Sequence, residues 1–288
     1  MKEIAIIGST ASGKTALSID IAKKTDSIIL SLDSLSVYKE IDIASAKPTK
    51  SERGDIIHFG IDEVYPNVNF DVVQFFDCYK RAKNYAQENG KNLIIVGGTG
   101  FYLKAMIEGL STGVNDAELD LSLDKTYELL HSLDKEYMEK ISQNDSYRVK
   151  KAYSIYKQTG FIPTKYFELN PKEPILKDLK IFEIVWDKEE LKKRINLRTS
   201  LMLEEGIIDE VIYLEKKYTR VPNCMSSIGI IETLEYLDGK LNKTELEEKI
   251  ALNTAKLAKR QNTFNKGQFK EKTSNFIESL NSDILKFF

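Results

Sequence analysis

Residues Gly8 to Thr15 read Gly-Ser-Thr-Ala-Ser-Gly-Lys-Thr and satisfy every fixed position of the phosphate-cradle pattern G-x-x-x-x-G-K-[ST]. In such a loop the amides of Gly8, Ser9, Thr10, Ala11, Ser12 and Gly13 turn inward as an anion nest, and Lys14 adds a point charge. The Thr15 hydroxyl is placed to ligate Mg²⁺. The pattern works only between a strand and a helix. An apolar run, Ile4-Ala5-Ile6-Ile7, precedes it, and amphipathic spacing at Ala16, Leu17, Ile19, Ile21 and Ala22 follows, setting the positive end of a helix dipole beneath the loop. These flanks weigh against an ordinary turn. The chemistry implied is binding of a di- or triphosphate.

The elements that must position this loop are legible from hydrophobic runs. Residues 27–32, 92–96 and 180–186 are apolar enough to be buried parallel strands. The first two end in polar or glycine-rich turns, at Asp33-Ser34 and at Gly97-Gly98-Thr99-Gly100. Ligands of open α/β sheets sit beyond the carboxyl ends of the strands, so both turns are expected to face the phosphate loop. A helix from about Phe70 to Gln87 supplies the crossover between them. The expected fold is α/β, a P-loop NTPase-like parallel sheet flanked by helices, with a small helical insertion and a helical C-terminal region. Strand signals vanish between Ser111 and Lys180, which places a helical insertion at residues 112–144, between a first core segment (1–111) and a second (145–288). One helix then runs through Leu191, Ile195 and Met202 to Gly206, and a second starts at Ile207.

Several residues carry two readings each. Asp33, at the end of the second strand, can be a general base or an outer Mg²⁺ ligand, or it can cap a following helix together with Ser34. The glycines at 97, 98 and 100 suit close backbone approach to a ligand, or simply a strand-to-helix turn. Arg194 and Arg198, four apart on a helix, can grip a pyrophosphate or pair with surface glutamates. Arg148 and Lys151, three apart, form another pair that could face an anion but reads more readily as a solvated face. Lys256, Lys259 and Arg260, with Phe264 and Phe269 close by, can track a nucleic-acid backbone and stack on unstacked bases, or can be a solvated face over core phenylalanines. His58 and His131 lack the neighbours of a nucleophile system, which excludes Ser-His and Cys-His hydrolysis. His58 is expected to be a structural, hydrogen-bonded histidine.

Composition sets limits on these readings. The 288 residues, 42% hydrophobic, suffice for one large or two ordinary domains. Cys78 and Cys224 are too few for a disulfide scaffold and lack metal-ligand spacing, so a reducing, cytoplasmic setting is expected. The chain opens directly into its first strand and holds no long apolar run, so neither signal peptide nor membrane association is expected. The net charge of −2 requires any nucleic-acid contact to rest on a local patch. The segment from Lys249 to Lys272 is such a patch, with seven Lys or Arg residues and one acid, Glu271.

Taken together, the motifs resemble the tRNA dimethylallyltransferases (tRNA isopentenyltransferases) nearly end to end. They run in that family's order: GSTASGKT at Gly8, DSLSVY at Asp33, DIASAKP at Asp42, HFGID at His58, GGTGFYLKAMIEGL at Gly97, NDSYRVKKA at Asn144, RINLRTSLMLEEGIIDEV at Arg194, SIGIIETLEYLDG at Ser227 and LAKRQNTF at Leu257. The resemblance implies transfer of a dimethylallyl group from dimethylallyl diphosphate to N6 of the adenosine 3′-adjacent to the anticodon, with Mg²⁺ as cofactor. It implies a catalytic set of Asp33, Thr10, Lys14 and Arg198, with residues 8–15 on the diphosphate. RNA contacts are implied at Asp33, Ser34, Leu35, Ser36, Thr99, Tyr147, Arg148, Lys151, Lys256, Lys259 and Arg260. The partners implied are the tRNA anticodon stem-loop and dimethylallyl diphosphate, with a monomeric enzyme. The chain departs from the family pattern at Ile230, Ile231, Phe264 and Lys266, all in expected RNA-contacting regions. Two rivals share part of the machinery: a P-loop small-molecule kinase, and an enzyme prenylating free AMP or ADP.

Overall fold

A computed structural model of the protein describes residues 1–111 and 113–288. The elements run β1 Glu3–Gly8, α1 Lys14–Lys24, β2 Ser27–Leu32, α2 Lys50–Arg53, β3 His58–Phe59, α3 Val72–Glu88, β4 Asn92–Gly97, α4 Gly100–Glu108, α5 Leu123–Leu133, α6 Lys135–Met138, α7 Ser146–Thr159 and α8 Pro163–Leu169. They continue with β5 Lys180–Ile184, α9 Lys188–Glu204, α10 Ile207–Tyr218, α11 Ile230–Leu237, α12 Lys243–Gln268, β6 Thr273–Asn275 and α13 Ile277–Phe287. Among the described residues the strands form one sheet in the order β3-β2-β4-β1-β5-β6, every pairing parallel. The α/β reading therefore holds. β3 and β6 are two and three residues long at the two edges; β3 lies at His58, where the sequence places a strand edge, whereas β6 carries too few positions for a periodicity.

Strands β2, β4 and β1 lie side by side, so their carboxyl ends emerge together. The sheet is apolar through its centre because parallel strands are covered on both faces. Ile4, Ile6, Ile29, Ile94 and Phe182 pack with Leu17 and Ile21 of α1 and with Leu280 and Ile284 of α13. A second cluster joins the loop after β2 (Val37, Tyr38, Ile41, Ala44) to α9, α10 and α11 through Met202, Ile207, Val211 and Ile230. Ile230 is fully buried there. One of the four departures from the family pattern is thus a core position, and its side chain is removed from any RNA surface.

The chain divides into two compact units, Met1–Lys104 with Asp178–Phe288, and Ala105–Lys177. The smaller unit is wider than the expected insertion at 112–144, whose starting residue lies outside the described residues. The reason is packing: Leu130, Met138 and Ile141 close their core against Val149, Ala152 and Tyr153 of α7, beyond the expected boundary. Among the described residues no helix is long and apolar enough to cross a membrane.

Candidate active site

The phosphate loop follows β1 as the sequence requires, and its backbone shape demands its glycines. Gly13 has φ 88° and forms the N-cap of α1. A Cβ on Gly8 would lie 3.0 Å from both the Ile184 carbonyl and Ser12 Oγ. Lys14 Nζ folds back over the loop, donating to the Ser9 carbonyl at 2.5 Å and reaching Ser12 Oγ at 3.4 Å. Burial pushes Lys14 down to about 7, the Arg198 guanidinium acts in the same direction, and Asp33 opposes both. Burial also lowers Arg198, again with Asp33 opposing. Two cations and one carboxylate therefore feel each other across one site, with net positive charge waiting for an anion.

α9 delivers both arginines to the loop. Arg198 Nη1 donates to Thr10 Oγ1 at 2.9 Å, and Arg194 Nε donates to the Ala11 carbonyl at 2.8 Å while stacking on Trp186 at 4.5 Å. Surface pairing with Glu189, Glu190 or Glu205 is not what holds them. Trp186 Nε1 adds a bond to the Ser12 carbonyl at 2.9 Å.

Asp33 caps a turn and not the expected helix: its Oδ1 accepts from the amides of Leu35 at 2.8 Å and Ser36 at 3.1 Å, and residues 34–37 form a turn. That turn leaves Oδ2 without a protein donor among the described residues. The two readings of Asp33 are thus compatible, one oxygen fixing the turn and the other open to the cleft. Ser34 donates its amide to Thr99 Oγ1 at 3.2 Å, tying this turn to the one after β4. The glycines of that second turn answer to protein neighbours: a Cβ at Gly97 would sit 2.1 Å from the Leu32 carbonyl, and one at Gly100 would sit 2.7 Å from Phe264.

These parts line one cleft of about 1330 Å³ that includes Thr10 to Thr15, Asp33 to Ser36, Thr99, Arg194, Arg198 and Arg260. Gly8 and Ser9 of the expected diphosphate-binding set are not among the residues that line it. Thr15 is exposed into the cleft, and among the described residues no three His, Cys, Asp or Glu side chains form a metal cage. The loop Asp42–Thr49 also lines the cleft. Lys47 holds it by ion pairs to Asp42 at 2.8 Å and Asp62 at 2.6 Å. Glu210 of α10 accepts the amides of Asp42 and Ile43 at 2.7 Å and Ala44 at 2.9 Å, an arrangement sequence reading did not single out. His58 has its Nδ1 2.8 Å from the Ile56 carbonyl, and burial lowers its affinity for a proton, in keeping with a structural histidine.

The expected RNA-binding residues are distributed more widely. Lys256, Lys259 and Arg260 are exposed on α12, and only Arg260 of the three lines the cleft. Of the two expected stacking aromatics, Phe264 lines the cleft, but Phe269 is 5% exposed and packs edge-on against Phe264, so it presents no face to a base. Tyr147, Arg148 and Lys151 belong to the smaller unit. Tyr147 is 69% exposed, Arg148 pairs with Asp145 at 3.4 Å and Lys151 with Asp116 at 2.5 Å.

Comparison with known proteins places this arrangement. The family model of the IPP transferases matches residues 36–268. The tRNA dimethylallyltransferase of Aliarcobacter butzleri is 73% identical over 289 residues, covering 100% of this chain and 99% of that protein. The tRNA dimethylallyltransferase of Campylobacter concisus is 51% identical over 286 residues, covering 99% and 98%. Among solved structures, the tRNA isopentenylpyrophosphate transferase of Bacillus halodurans superposes with TM-score 0.75 at 29% identity over 99% of this chain and 95% of that one. A eukaryotic dimethylallyltransferase captured acting on tRNA superposes with TM-score 0.83 at 26% identity, over 96% and 74%. By sequence along its whole length and by fold, the chain belongs to the tRNA dimethylallyltransferase family of IPP transferases.

Proposed function

We propose that this protein transfers the dimethylallyl group of dimethylallyl diphosphate to N6 of the adenosine 3′-adjacent to the anticodon in tRNA, releasing diphosphate. The observation that carries the reading is the convergence of Lys14, Arg198 and Asp33 on one cleft that Arg260 of α12 also lines. The C1–O bond of the allylic diphosphate breaks and the N6–C1 bond forms. Lys14, Arg198 and the loop amides not already bonded within the protein hold the oxygens on which negative charge grows, and the two side chains are already oriented by Ser9 and Thr10. Asp33 Oδ2 receives the N6 proton, since an exocyclic amine is a weak nucleophile until that proton is leaving. Thr10 and Thr99 hold Arg198 and the Asp33 turn in register.

Mg²⁺ fits the site because that ion needs few protein ligands when a diphosphate shares it, and the cleft offers the hydroxyl of Thr15. The exposed Thr15 hydroxyl would hold it together with the diphosphate. When bound, it neutralises charge on the leaving group. Lys256, Lys259 and Arg260, with Tyr147, Arg148 and Lys151 of the smaller unit, would contact the anticodon stem-loop, whose target base must leave its stack to reach Asp33 and the residues beside it, Ser34 to Ser36. A monomer in the cytoplasm meets every requirement of this scheme.

Incubation of the protein with dimethylallyl diphosphate, Mg²⁺ and bulk tRNA, against AMP and ATP controls, tests the reading. Prenylated tRNA with unmodified AMP is the expected result. Prenylated AMP without prenylated tRNA would replace it with the free-nucleotide reading, and phosphoryl transfer from ATP with the kinase reading.

A further inference from the structure

Gln261 of α12 makes a contact that neither the phosphate-loop motif nor the basic face of that helix explains. Its Oε1 accepts the backbone N–H of Thr10 at 2.7 Å, and its Nε2 donates to the Gly98 carbonyl at 3.1 Å. The two partners fix the orientation of the carboxamide, because an N–H only donates and a carbonyl only accepts. One side chain thus spans the turns after β1 and β4, and the gap is cut to its size: a Cβ at Gly98 would lie 2.4 Å from Gln261 Nε2.

Each end of this bridge leads to reacting groups. On one side, Thr10 is the residue whose hydroxyl accepts from Arg198 at 2.9 Å, so its main chain is held by α12 and its side chain by α9. On the other, Gly98 precedes Thr99, whose hydroxyl takes the Ser34 amide at 3.2 Å beside Asp33. Gln261 also follows Arg260, exposed at the cleft on the helix assigned to RNA.

We propose that Gln261 is a positioning residue that sets the distance between the leaving-group cradle and the Asp33 turn, and ties that distance to the placement of α12. Gln261 touches neither reacting atom. It acts through Thr10 and Gly98, where a misplacement of about 1 Å is enough to cost on the order of 10²-fold in rate. The assignment of the two turns to leaving group and base rests on the function proposed above.

Two variants test it. Gln261→Ala removes both bonds and is expected to lower kcat by about 10–100-fold, with the KM for tRNA changed less than about twofold. Gln261→Glu is the sharper probe. Ionised, it still accepts from Thr10 but sets a carboxylate against the Gly98 carbonyl; protonated, it again offers one acceptor and one donor. Its activity relative to the unsubstituted protein is therefore expected to recover as pH falls from 7 toward 5, whereas a residue that merely fills space gives a flat ratio. An unchanged kcat in Gln261→Ala, or a flat ratio in Gln261→Glu, overturns the proposal. If Gln261→Ala fails to fold, the isosteric Glu variant decides alone. If the unsubstituted protein prenylates no tRNA, the proposed function fails. Titration of both variants with inorganic pyrophosphate, expected to bind Gln261→Ala more weakly, then decides the bridge by itself.

Discussion

The two ends of the cleft are built in opposite ways. At the phosphate loop each charged side chain is half-buried and already bonded to the protein: Lys14 to Ser9, Arg198 to Thr10, Arg194 to Ala11. On α12, Lys259 and Arg260 stand in solvent with no ion pair among the described residues, and Lys256 reaches only Asn253, at 3.4 Å. The contrast fits what each end is proposed to recognise. A diphosphate is small and carries concentrated charge that changes during reaction, so donors fixed in advance cost no reorganisation as the bond breaks. An RNA backbone is long and uniform, and mobile exposed cations that release counterions suffice. Preorganisation is spent where charge develops.

If that division is right, substitutions at the loop end should damage chemistry, and those on α12 should damage only RNA affinity. The largest effect is expected for Asp33→Asn. The amide retains an oxygen for the Leu35 and Ser36 amides, so the turn persists while the proton acceptor is lost. Single-turnover transfer should slow by about 10²–10⁴-fold with diphosphate binding kept. A near-normal rate would remove Asp33 from the base role and leave it as a turn residue.

Lys14→Ala and Arg198→Ala come next, each expected to lower kcat by about 10²–10³-fold and to weaken diphosphate binding. Arg194→Ala sharpens the comparison from within the same helix. Arg194 bonds a main-chain carbonyl and stacks on Trp186, so its loss should lower the melting temperature more than it lowers the rate. Should Arg198→Ala behave in the same way, shifting only thermal stability, Arg198 would be a structural partner of Thr10 and no ligand of the diphosphate.

The loop end was also the more legible of the two in sequence. Its strand, glycine loop and helix are consecutive, so motif and periodicity report on each other. Arg198 was recognisable because helical spacing set it beside Arg194. What escaped notice was long-range. Gln261 meets Thr10 across 251 residues, and Glu210 reaches Asp42 across 168; neither pairing leaves a local trace. Phe269 looked available for stacking because burial of an aromatic near a helix end depends on tertiary neighbours, here Phe264. The bounds of the smaller unit slipped for a like reason: Val149, Ala152 and Tyr153 share an apolar pattern with any surface helix until the core they complete is seen.

On α12 the expected effect is smaller and of a different kind. Replacing Lys256, Lys259 and Arg260 together by Ala should weaken tRNA binding and flatten the dependence of log affinity on log salt, by about one unit or slightly less for each phosphate left without its cation. Binding of dimethylallyl diphosphate should not change, because none of the three side chains touches the loop. A filter-binding series over salt concentration checks both parts. Unchanged affinity and slope would move the RNA assignment to Tyr147, Arg148 and Lys151.

The smallest expected effect returns to the loop, where the cradle is strained by its own charge. Lys14 is depressed to about 7, first by burial and then by Arg198. A bound diphosphate supplies the missing counter-charge and should restore the ammonium, so binding above pH 7 must draw a proton from solution. At pH 8 dimethylallyl diphosphate is fully ionised, and calorimetric titration in buffers of different ionisation enthalpy should show uptake approaching one proton, falling away by pH 6. The apparent Kd should rise roughly fivefold between pH 7 and 8, as the fraction of free protein with Lys14 charged declines. Stability of the free protein moves the other way. Between about 7 and the ordinary lysine value of 10.5 the unfolded chain holds more protons than the folded one, so Lys14's contribution improves as pH rises. Binding that takes up no proton at pH 8 would mean that Lys14 is charged before the ligand arrives, and that the loop end holds its cations without strain.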